Sequence, residues 1–564
     1  MAKTNPNTYD AIVVGSGMTG GWAAKELTEK GLKTLVLERG REVKHGQGYP
    51  TTNKAPWEYD RIGYLSREEK EQYHIQSIKY NFDVSSKDFF VNDLKHPYVE
   101  EKAFRWFRGY QTGGRSLLWG RGAYRMSDLD FEANAKDGVG IDWPFRYEDI
   151  APWYDYVERF IGVAGSKENI WHFPDGVFLP PFDMNTAELA VKERIEAHYP
   201  DRKFIPNRVA HLTKVEPGHF KGRSQCQARD MCHTGCPYGA YFTSNSSTLP
   251  AAAETGNLTL RPHAIVESVL YDENLDKVTG VRIIDTQTKQ SEEFFARVVF
   301  LCASALATTG ILLNSRTHRF AEGLANSSGV LGHYLMDHHK NINAYGTLEG
   351  YEDRIYKGFR PAAVALPRFR NVEQQEMDYL RGYGFWGGAS RQGINPTQVG
   401  IGVDFKARIT QPGPWKFALF SQAEGLPYYE NKVELDPEQK DQWGLPLLKI
   451  SAEQGENERR MRKDMVGQAQ EVMEIAGLKD ITVDEGPMIM GDVVHEMGTA
   501  RMGRDPKESV LNDFNQCHDI PNLFITDGSC MPSSGYVSPS LTYMALTARA
   551  CDYAVDQIRR GAVK

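Results

Sequence analysis

The sequence predicts an α/β domain assembled from separated segments, joined to an α+β domain built on a large, mostly antiparallel sheet. Three observations carry that expectation. The first forty residues read as strand, glycine turn, helix, strand and acid. Buried strand-type runs return far downstream, at Arg297–Leu301 and Asn522–Thr526. Between about 340 and 450, apolar and polar residues alternate instead of recurring at helical spacing, the period-2 pattern of a sheet with one buried face.

The N-terminal unit comes first. Ala11–Val14 is apolar throughout and reads as a buried parallel strand. It runs into Gly15-Ser16-Gly17-Met18-Thr19-Gly20, then a helical stretch from Trp22 to Lys30, then Thr34–Leu37 and Glu38. Each part suits the grip of a Rossmann-like domain on a dinucleotide. Gly15 makes the tight turn, Gly17 lets a pyrophosphate approach bare backbone, and Gly20 lets helix and strand pack closely. The helix N-terminus offers unpaired N–H groups and a positive dipole to the phosphates. Glu38, eighteen residues after Gly20, is placed to hydrogen-bond adenosine ribose hydroxyls and would repel a 2′-phosphate, which disfavours NADP.

Length and composition bound the rest. A chain of 564 residues is too long for one core and implies two or three domains. With 41% hydrophobic and 25% charged residues it has the composition of a soluble globular enzyme. A net charge of −8 with no long basic run argues against nucleic acid or an anionic membrane surface as partner. Met1-Ala2-Lys3-Thr4-Asn5 leads almost directly into the first strand without an apolar core, so no secretory signal is expected. No apolar run reaches membrane-spanning length.

Further along, residues 43–100 are polar, tyrosine-rich and weakly periodic, which suits an excursion over the dinucleotide fold. A second glycine-rich stretch, Gly113-Gly114-Arg115-Ser116-Leu117-Leu118-Trp119-Gly120, follows. Short β-type runs from about 258 lead into Arg297–Leu301, and Ala303-Ser304-Ala305 opens a helix after it. A helix is expected from Glu456 to Ala476, where glycine ends it. The dinucleotide domain is thus expected from 1–45, 100–130, 205–340 and 485–564. The remaining segments, 46–99, 131–204 and 341–484, form a substrate domain and cap.

The last seventy residues supply candidate chemistry. His495-Glu496-Met497-Gly498-Thr499 precedes the strand Asn522–Thr526, which ends in Asp527-Gly528. Ser538-Pro539-Ser540-Leu541-Thr542 then opens a helix continuing to Ile558, with Ser538 expected at the N-cap and Pro539 at the first helical position.

Taken together, the glycine turn with Glu38, the Gly-Gly-x-Ser-x-x-Trp stretch, His-x-x-Gly-Thr, the Asp-Gly strand end and the terminal Pro-x-Leu-Thr helix resemble the glucose–methanol–choline oxidoreductase family. The order and span of the motifs are similar to its sugar-oxidising branch: pyranose oxidases, glucoside 3-dehydrogenases and large subunits of FAD-dependent glucose dehydrogenases. The resemblance implies FAD rather than NAD, with Gly15, Gly17, Gly20 and Glu38 at the pyrophosphate and ribose. It likewise implies cofactor contacts at Gly113, Gly114, Ser116, Asp527, Gly528 and Pro539. Leu118 stands where pyranose oxidases carry a flavin-bonded histidine, so non-covalent FAD is implied. The terminal helix would then stabilise negative charge developing at the reduced flavin. His495 matches the catalytic base, and neutral imidazole suits removal of a hydroxyl proton near neutral pH. Ser538 departs from the pattern, which has Asn or His there. Its shorter hydroxyl leaves three readings: substrate or water fills the gap, Tyr536 or Ser540 substitutes, or turnover is weakened. A simple capping role stands beside these.

A cysteine cluster is the second signal. Cys226, Cys232 and Cys236, followed by Pro237, have the spacing C-x5-C-x3-C-P. Three thiolates so close can converge on an iron–sulfur cluster, and the C-x3-C-P ending recurs in ferredoxin-type runs. Plain reduced thiols, or a zinc site completed by His233, fit as well. The spacing is similar to the [3Fe–4S] segment of the dehydrogenases in that branch. By the same resemblance a small export or chaperone subunit and a cytochrome-type electron acceptor are expected, with residence in the cytoplasm or, by co-export, the periplasm. Cys302, Cys517, Cys530 and Cys551 are scattered and read as buried apolar residues.

Tyr383, Phe385 and Trp386 could stack on a pyranose ring or simply pack the antiparallel sheet. A negative chain does not favour an anionic substrate, so a neutral sugar or glycoside is expected. Oxidation at a ring secondary hydroxyl, carbon 3, is implied by the branch alone. An oxygen-using pyranose or glycoside oxidase is the nearest alternative. A flavin-binding electron-transfer subunit with impaired chemistry is the other.

Overall fold

The computed structural model describes residues 7–354, 361, 364–391, 400–410 and 413–563, so the N-terminal pentapeptide discussed above lies outside it. The strands β1 (Thr8–Val14), β2 (Thr34–Leu37), β3 (Leu258–Arg261), β4 (Ala264–Asp272), β5 (Lys277–Asp285), β6 (Ser291–Leu301) and β7 (Leu523–Ile525) form one seven-stranded sheet. Its parallel part runs β3-β2-β1-β6, with β7 also parallel on the far edge of β6. β4 and β5 extend it as an antiparallel pair. β1 and β2 lie within residues 1–45, β3 to β6 within 205–340 and β7 within 485–564.

β1, β2 and the distal half of β6 are buried on both faces, which is why they read as unbroken apolar runs. Helix α1 (Met18–Glu29) follows β1 and packs against the C-terminal helix Ser540–Arg559. Its start differs from the expected Trp22. Gly20 and Gly21 lie inside the first turn, because a Cβ on Gly20 would fall 2.0 Å from the Gly15 carbonyl oxygen. Glycine there serves close packing and does not delay the helix.

The second sheet has six strands and is antiparallel throughout: Lys479–Glu485, Ile342–Leu348, Trp415–Ala423, Tyr383–Arg391, Val364–Leu366 and Ile205–Pro206, in that order. Alternation decides which residues face where. Tyr383, Phe385, Trp415, Phe417 and Leu419 point to one face and pack on the helices Thr186–His198 and Glu456–Ile475. Trp386, Phe420 and Gln422 point to the other, toward the first domain. Trp386 and Phe420 are register partners across the two strands. The Glu456–Ile475 helix matches its expected bounds, with Ala476 as C-cap. Among the described residues no helix is long and apolar enough to cross a membrane.

Candidate active site

One continuous cavity runs between the two sheets. It is lined by Gly15, Ser16, Gly17 and Glu38, and also by Trp386, Gln422, His495 and Ser538. The carboxyl ends of β1, β2 and β6 open into it, where parallel sheets place their ligands.

The loop after β1 is held by its own polar groups. Gly15 has φ +97° and a Cβ there would meet the Cys302 carbonyl oxygen at 2.5 Å, so only glycine turns the chain at this point. Gly17, by contrast, has no heavy atom within 4 Å of where a Cβ would stand. That open cradle, on the cavity wall at a helix N-terminus, fits the pyrophosphate of a dinucleotide. Glu38 Oε2 accepts from the Ser16 amide (3.2 Å) and hydroxyl, and Oε1 from the Gly40 amide (2.9 Å). Burial nevertheless pushes its carboxyl above the ordinary range.

The Gly113 loop braces this turn. Gly113 N–H donates to Ser16 Oγ at 3.0 Å, and a Cβ on Gly114 would lie 3.4 Å from Gly17 Cα. Gly114, Arg115, Ser116 and Leu118 reach the cavity wall, whereas Gly113 does not. A side chain on Gly113 would strike Asn245 Oδ1, so this glycine makes room for protein and not for cofactor. Ser116 Oγ donates to the Gly113 carbonyl and accepts from the Ser244 amide. Asp527 lines the cavity beside Gly528, but its carboxylate is engaged as a cap by Ser529 and Thr308.

The last helix begins one step later than expected. Pro539 is the N-cap and Ser540 the first helical residue, with Tyr543 N–H donating to the Pro539 carbonyl. Ser538 therefore caps nothing. It turns into the cavity, where its hydroxyl lies 3.5 Å from Gln422 Oε1. The Gln422 amide is fixed by donation to the Tyr536 carbonyl at 3.0 Å. Ser540 also lines the cavity, while Pro539 and Tyr536 do not. Tyr536 is buried against Trp386 and Phe173 and cannot stand in for Ser538. Tyr383 and Phe385 belong to the opposite face of their strand, and Tyr383 hydrogen-bonds Asp464. Of the three aromatic candidates only Trp386 faces the cavity.

His495 is surrounded by titratable groups. Its main-chain N–H donates to Asp337 Oδ1 (3.1 Å), and Asp337 Oδ2 accepts from the amides of Gly491 and Val493. Its Nδ1 lies 3.1 Å from His338 Nδ1. The next residue, Glu496, forms a two-pronged ion pair with Arg115 at 3.1 and 2.7 Å. Lys79 donates to the Asp492 carbonyl at 2.6 Å, and Lys340 lines the cavity. Burial, followed by His338, Lys340, Lys79 and Arg115, holds the His495 imidazole well below its usual range, so it is neutral at working pH. Burial and nearby Glu496 push Asp337 up to about 7, and burial with Lys340 brings Lys79 down to about 7. Ligand-type atoms of Asp337, His338 and His495 lie within 4.8 Å of one another, a proximity explained by these hydrogen bonds.

Cys226, Cys232 and Cys236 do not line the cavity. Cys232 Sγ is 3.9 Å from His211 Nε2, and its carbonyl accepts from Tyr241, whose hydroxyl also reaches the Leu117 carbonyl. Arg121 is on the cavity wall, where burial opposes its charge and Cys232, Tyr241 and Tyr80 raise its pKa, and Tyr80 packs edge-on against His233. Burial pushes the Cys226 and Cys232 thiols up, the neighbouring cysteines add to this, and Arg121 opposes it. Among the described residues, the cysteines and His233 do not gather within 4.8 Å, which the short bonds of a single zinc ion require. A cluster of several irons has no such need. Cys302, Cys517, Cys530 and Cys551 are buried, as expected.

Sequence reasoning missed His338, Asp337, Lys340, Lys79 and Gln422. The run Asp337-His338-His339-Lys340 is conspicuous in the sequence, but nothing linear tells that it reaches a residue 157 positions away.

The comparisons agree with this geometry. Residues 9–340 and 427–547 match the N-terminal and C-terminal domains described as GMC oxidoreductase. The chain is 29% identical to 2-methyl-1,2-propanediol dehydrogenase of Mycolicibacterium austroafricanum, covering 98% of this chain and 96% of that one. It is 25% identical to the fructose dehydrogenase large subunit of Gluconobacter japonicus over 98% of both chains. In fold it is similar to pyridoxine 4-oxidase from Mesorbium loti, with a TM-score of 0.61 at 16% identity over 97% of this chain and 99% of that structure. The protein belongs to the GMC oxidoreductase family, a family of FAD-binding oxidoreductases.

Proposed function

We propose that this oxidoreductase is an FAD-dependent dehydrogenase that oxidises a ring secondary hydroxyl of a neutral sugar or glycoside, at carbon 3, to the keto-sugar. One observation carries the reading: a single cavity joins the dinucleotide cradle at Gly17 and Glu38 to the imidazole of His495. Relatives named for fructose, gluconate and propanediol oxidation support an alcohol-bearing, sugar-like substrate. The carbon position rests on the resemblance to glucoside 3-dehydrogenases.

In this reading Gly15, Gly17, Glu38, Gly114, Ser116 and Gly528 hold the cofactor of a Rossmann-like domain, and Leu118 leaves it non-covalent. When bound, FAD supplies the acceptor for the substrate hydride. His495, neutral through burial, takes the hydroxyl proton at the nitrogen not engaged with His338. The cations that keep His495 neutral also favour negative charge developing on the substrate oxygen. Ser538, backed by the fixed Gln422 amide, holds that oxygen, and Trp386 offers an apolar face to the ring. Because serine reaches less far than asparagine, Ser538→Asn is expected to raise kcat by about 2- to 10-fold, the worth of one hydrogen bond of about 0.5–1.5 kcal/mol. Unchanged or lower kcat with normal FAD content would count against that role.

Cys226, Cys232 and Cys236 would hold a [3Fe–4S] cluster, a one-electron relay toward a cytochrome-type acceptor. Arg121, between Cys232 and the cavity, would offset the thiolate charge. A small partner subunit carrying the export signal would take the folded pair to the periplasm. Without it the enzyme stays in the cytoplasm.

The test is an anaerobic visible spectrum with a panel of sugars and glycosides, followed by admission of either air or a dye, alongside iron and sulfide analysis. The proposal expects bleaching by a glycoside, slow recolouring in air, fast dye reduction, and iron with sulfide. Fast recolouring in air identifies an oxidase instead, and the absence of bleaching by any sugar rejects the substrate class.

A further inference from the structure

His495 does not act alone, because its ring is hydrogen-bonded to a second buried imidazole. The two Nδ1 atoms are 3.1 Å apart, and the rings meet edge to face with centroids 4.9 Å apart. Two nitrogens at that distance can share only one proton, so one ring donates and the other accepts. The contact fixes both tautomers together. If His338 were the donor, the Nδ1 of His495 would be the acceptor and its remaining nitrogen would carry hydrogen, useless as a base.

A base at His495 needs the opposite arrangement. His338 Nε2 is buried without a hydrogen-bond partner among the described residues, whereas its Nδ1 meets His495. With hydrogen on Nδ1 of His495, its Nε2 keeps the lone pair and Nδ1 of His338 accepts. We propose that His338 is a positioning residue that accepts Nδ1–H from His495, thereby presenting the Nε2 lone pair of His495 to the substrate hydroxyl.

This inference rests on His495 being the base, as proposed above. The proton step balances simply: the substrate O–H bond breaks, an Nε2–H bond forms on His495, and the positive charge is spread over an imidazolium. The Nδ1–H of that imidazolium stays on His495 and donates to His338, now as a charge-assisted hydrogen bond. Burial keeps His338 neutral, down to about 3, so the second ring does not repel the charge gained by the first. The other charged groups facing His495 are Lys340, Lys79 and Arg115, with Asp337 on its main-chain N–H and Glu496 next to it. All of these remain in a His338 variant.

The experiment compares His338→Phe, which has no acceptor, with His338→Asn, whose side-chain oxygen can occupy the Nδ1 position. The readout is the pH profile of anaerobic flavin reduction by substrate, with FAD content and Tm measured on the same preparations. His338→Phe is expected to slow reduction about 10²-fold and to move the acid limb of the profile to lower pH, since the imidazolium loses its acceptor. His338→Asn is expected to keep the limb in place and recover most of the rate. Should the Phe variant fail to hold FAD, His338→Leu carries the same expectation. A wild-type rate in the acceptor-free variant overturns the inference, as do equal losses in both variants with an unmoved limb. His495→Ala in the same assay separates the two claims: an active His495→Ala rejects the base itself, whereas an inactive one beside a normal His338→Phe rejects only the positioning role.

Discussion

Replacing His495 by alanine is expected to lower the rate of anaerobic flavin reduction by about 10³-fold, within the range of general-base catalysis. Bound FAD should remain, because the His495 side chain is not among the groups that hold the turn at Gly15 and Gly17. The residual rate should lose the acid limb of its pH profile. That limb is set by a group already held below the ordinary imidazole range by burial and by Lys340, Lys79 and Arg115. Stopped-flow reduction at several pH values, on preparations matched for FAD, measures both effects. A His495→Ala enzyme reduced within a few-fold of the wild-type rate would remove the residue from the chemistry.

The second large effect separates packing glycines from ligand glycines. In Gly20→Ala the new Cβ would stand 2.0 Å from the Gly15 carbonyl oxygen, a backbone collision that neither α1 nor β1 can relieve without moving. Overpacking of this kind costs about 1–3 kcal/mol or more, so soluble yield and Tm should fall whether or not FAD is added. In Gly17→Val the new Cβ has no protein atom within 4 Å, and the side chain enters the space where a pyrophosphate would lie. Its apoprotein should melt like wild-type apoprotein while retaining little FAD. Scanning calorimetry with and without added FAD distinguishes the two. Equal melting losses in both variants would contradict the roles assigned to them.

These contrasts show what could be read from sequence. The β1 turn is local: Gly15, Gly17, Gly20 and Glu38 act within a span whose spacing is set by one strand, one helix and the next strand. The discontinuous sheet was legible because β1, β2 and the distal half of β6, buried on both faces, read as unbroken apolar runs. Period 2 announced the second sheet but not which parity faces the cavity. Tyr383 and Phe385 therefore fell on the helix-packed side, and Trp386 alone on the other. The start of the last helix slipped by one because Ser-Pro fits a cap and first turn equally well when shifted. What Ser538 faces depends on Gln422, more than a hundred positions away. His338 was invisible for the same reason: a contact between two imidazoles 157 positions apart leaves no local pattern.

The most direct test of the whole account is the FAD content of purified, folded protein, read from its visible spectrum and from the flavin released on denaturation. The account predicts a yellow protein with stoichiometric, acid-extractable FAD that a glycoside bleaches under argon. A folded chain that is colourless and takes up no added FAD would contradict it, together with every role assigned to His495, His338 and Ser538.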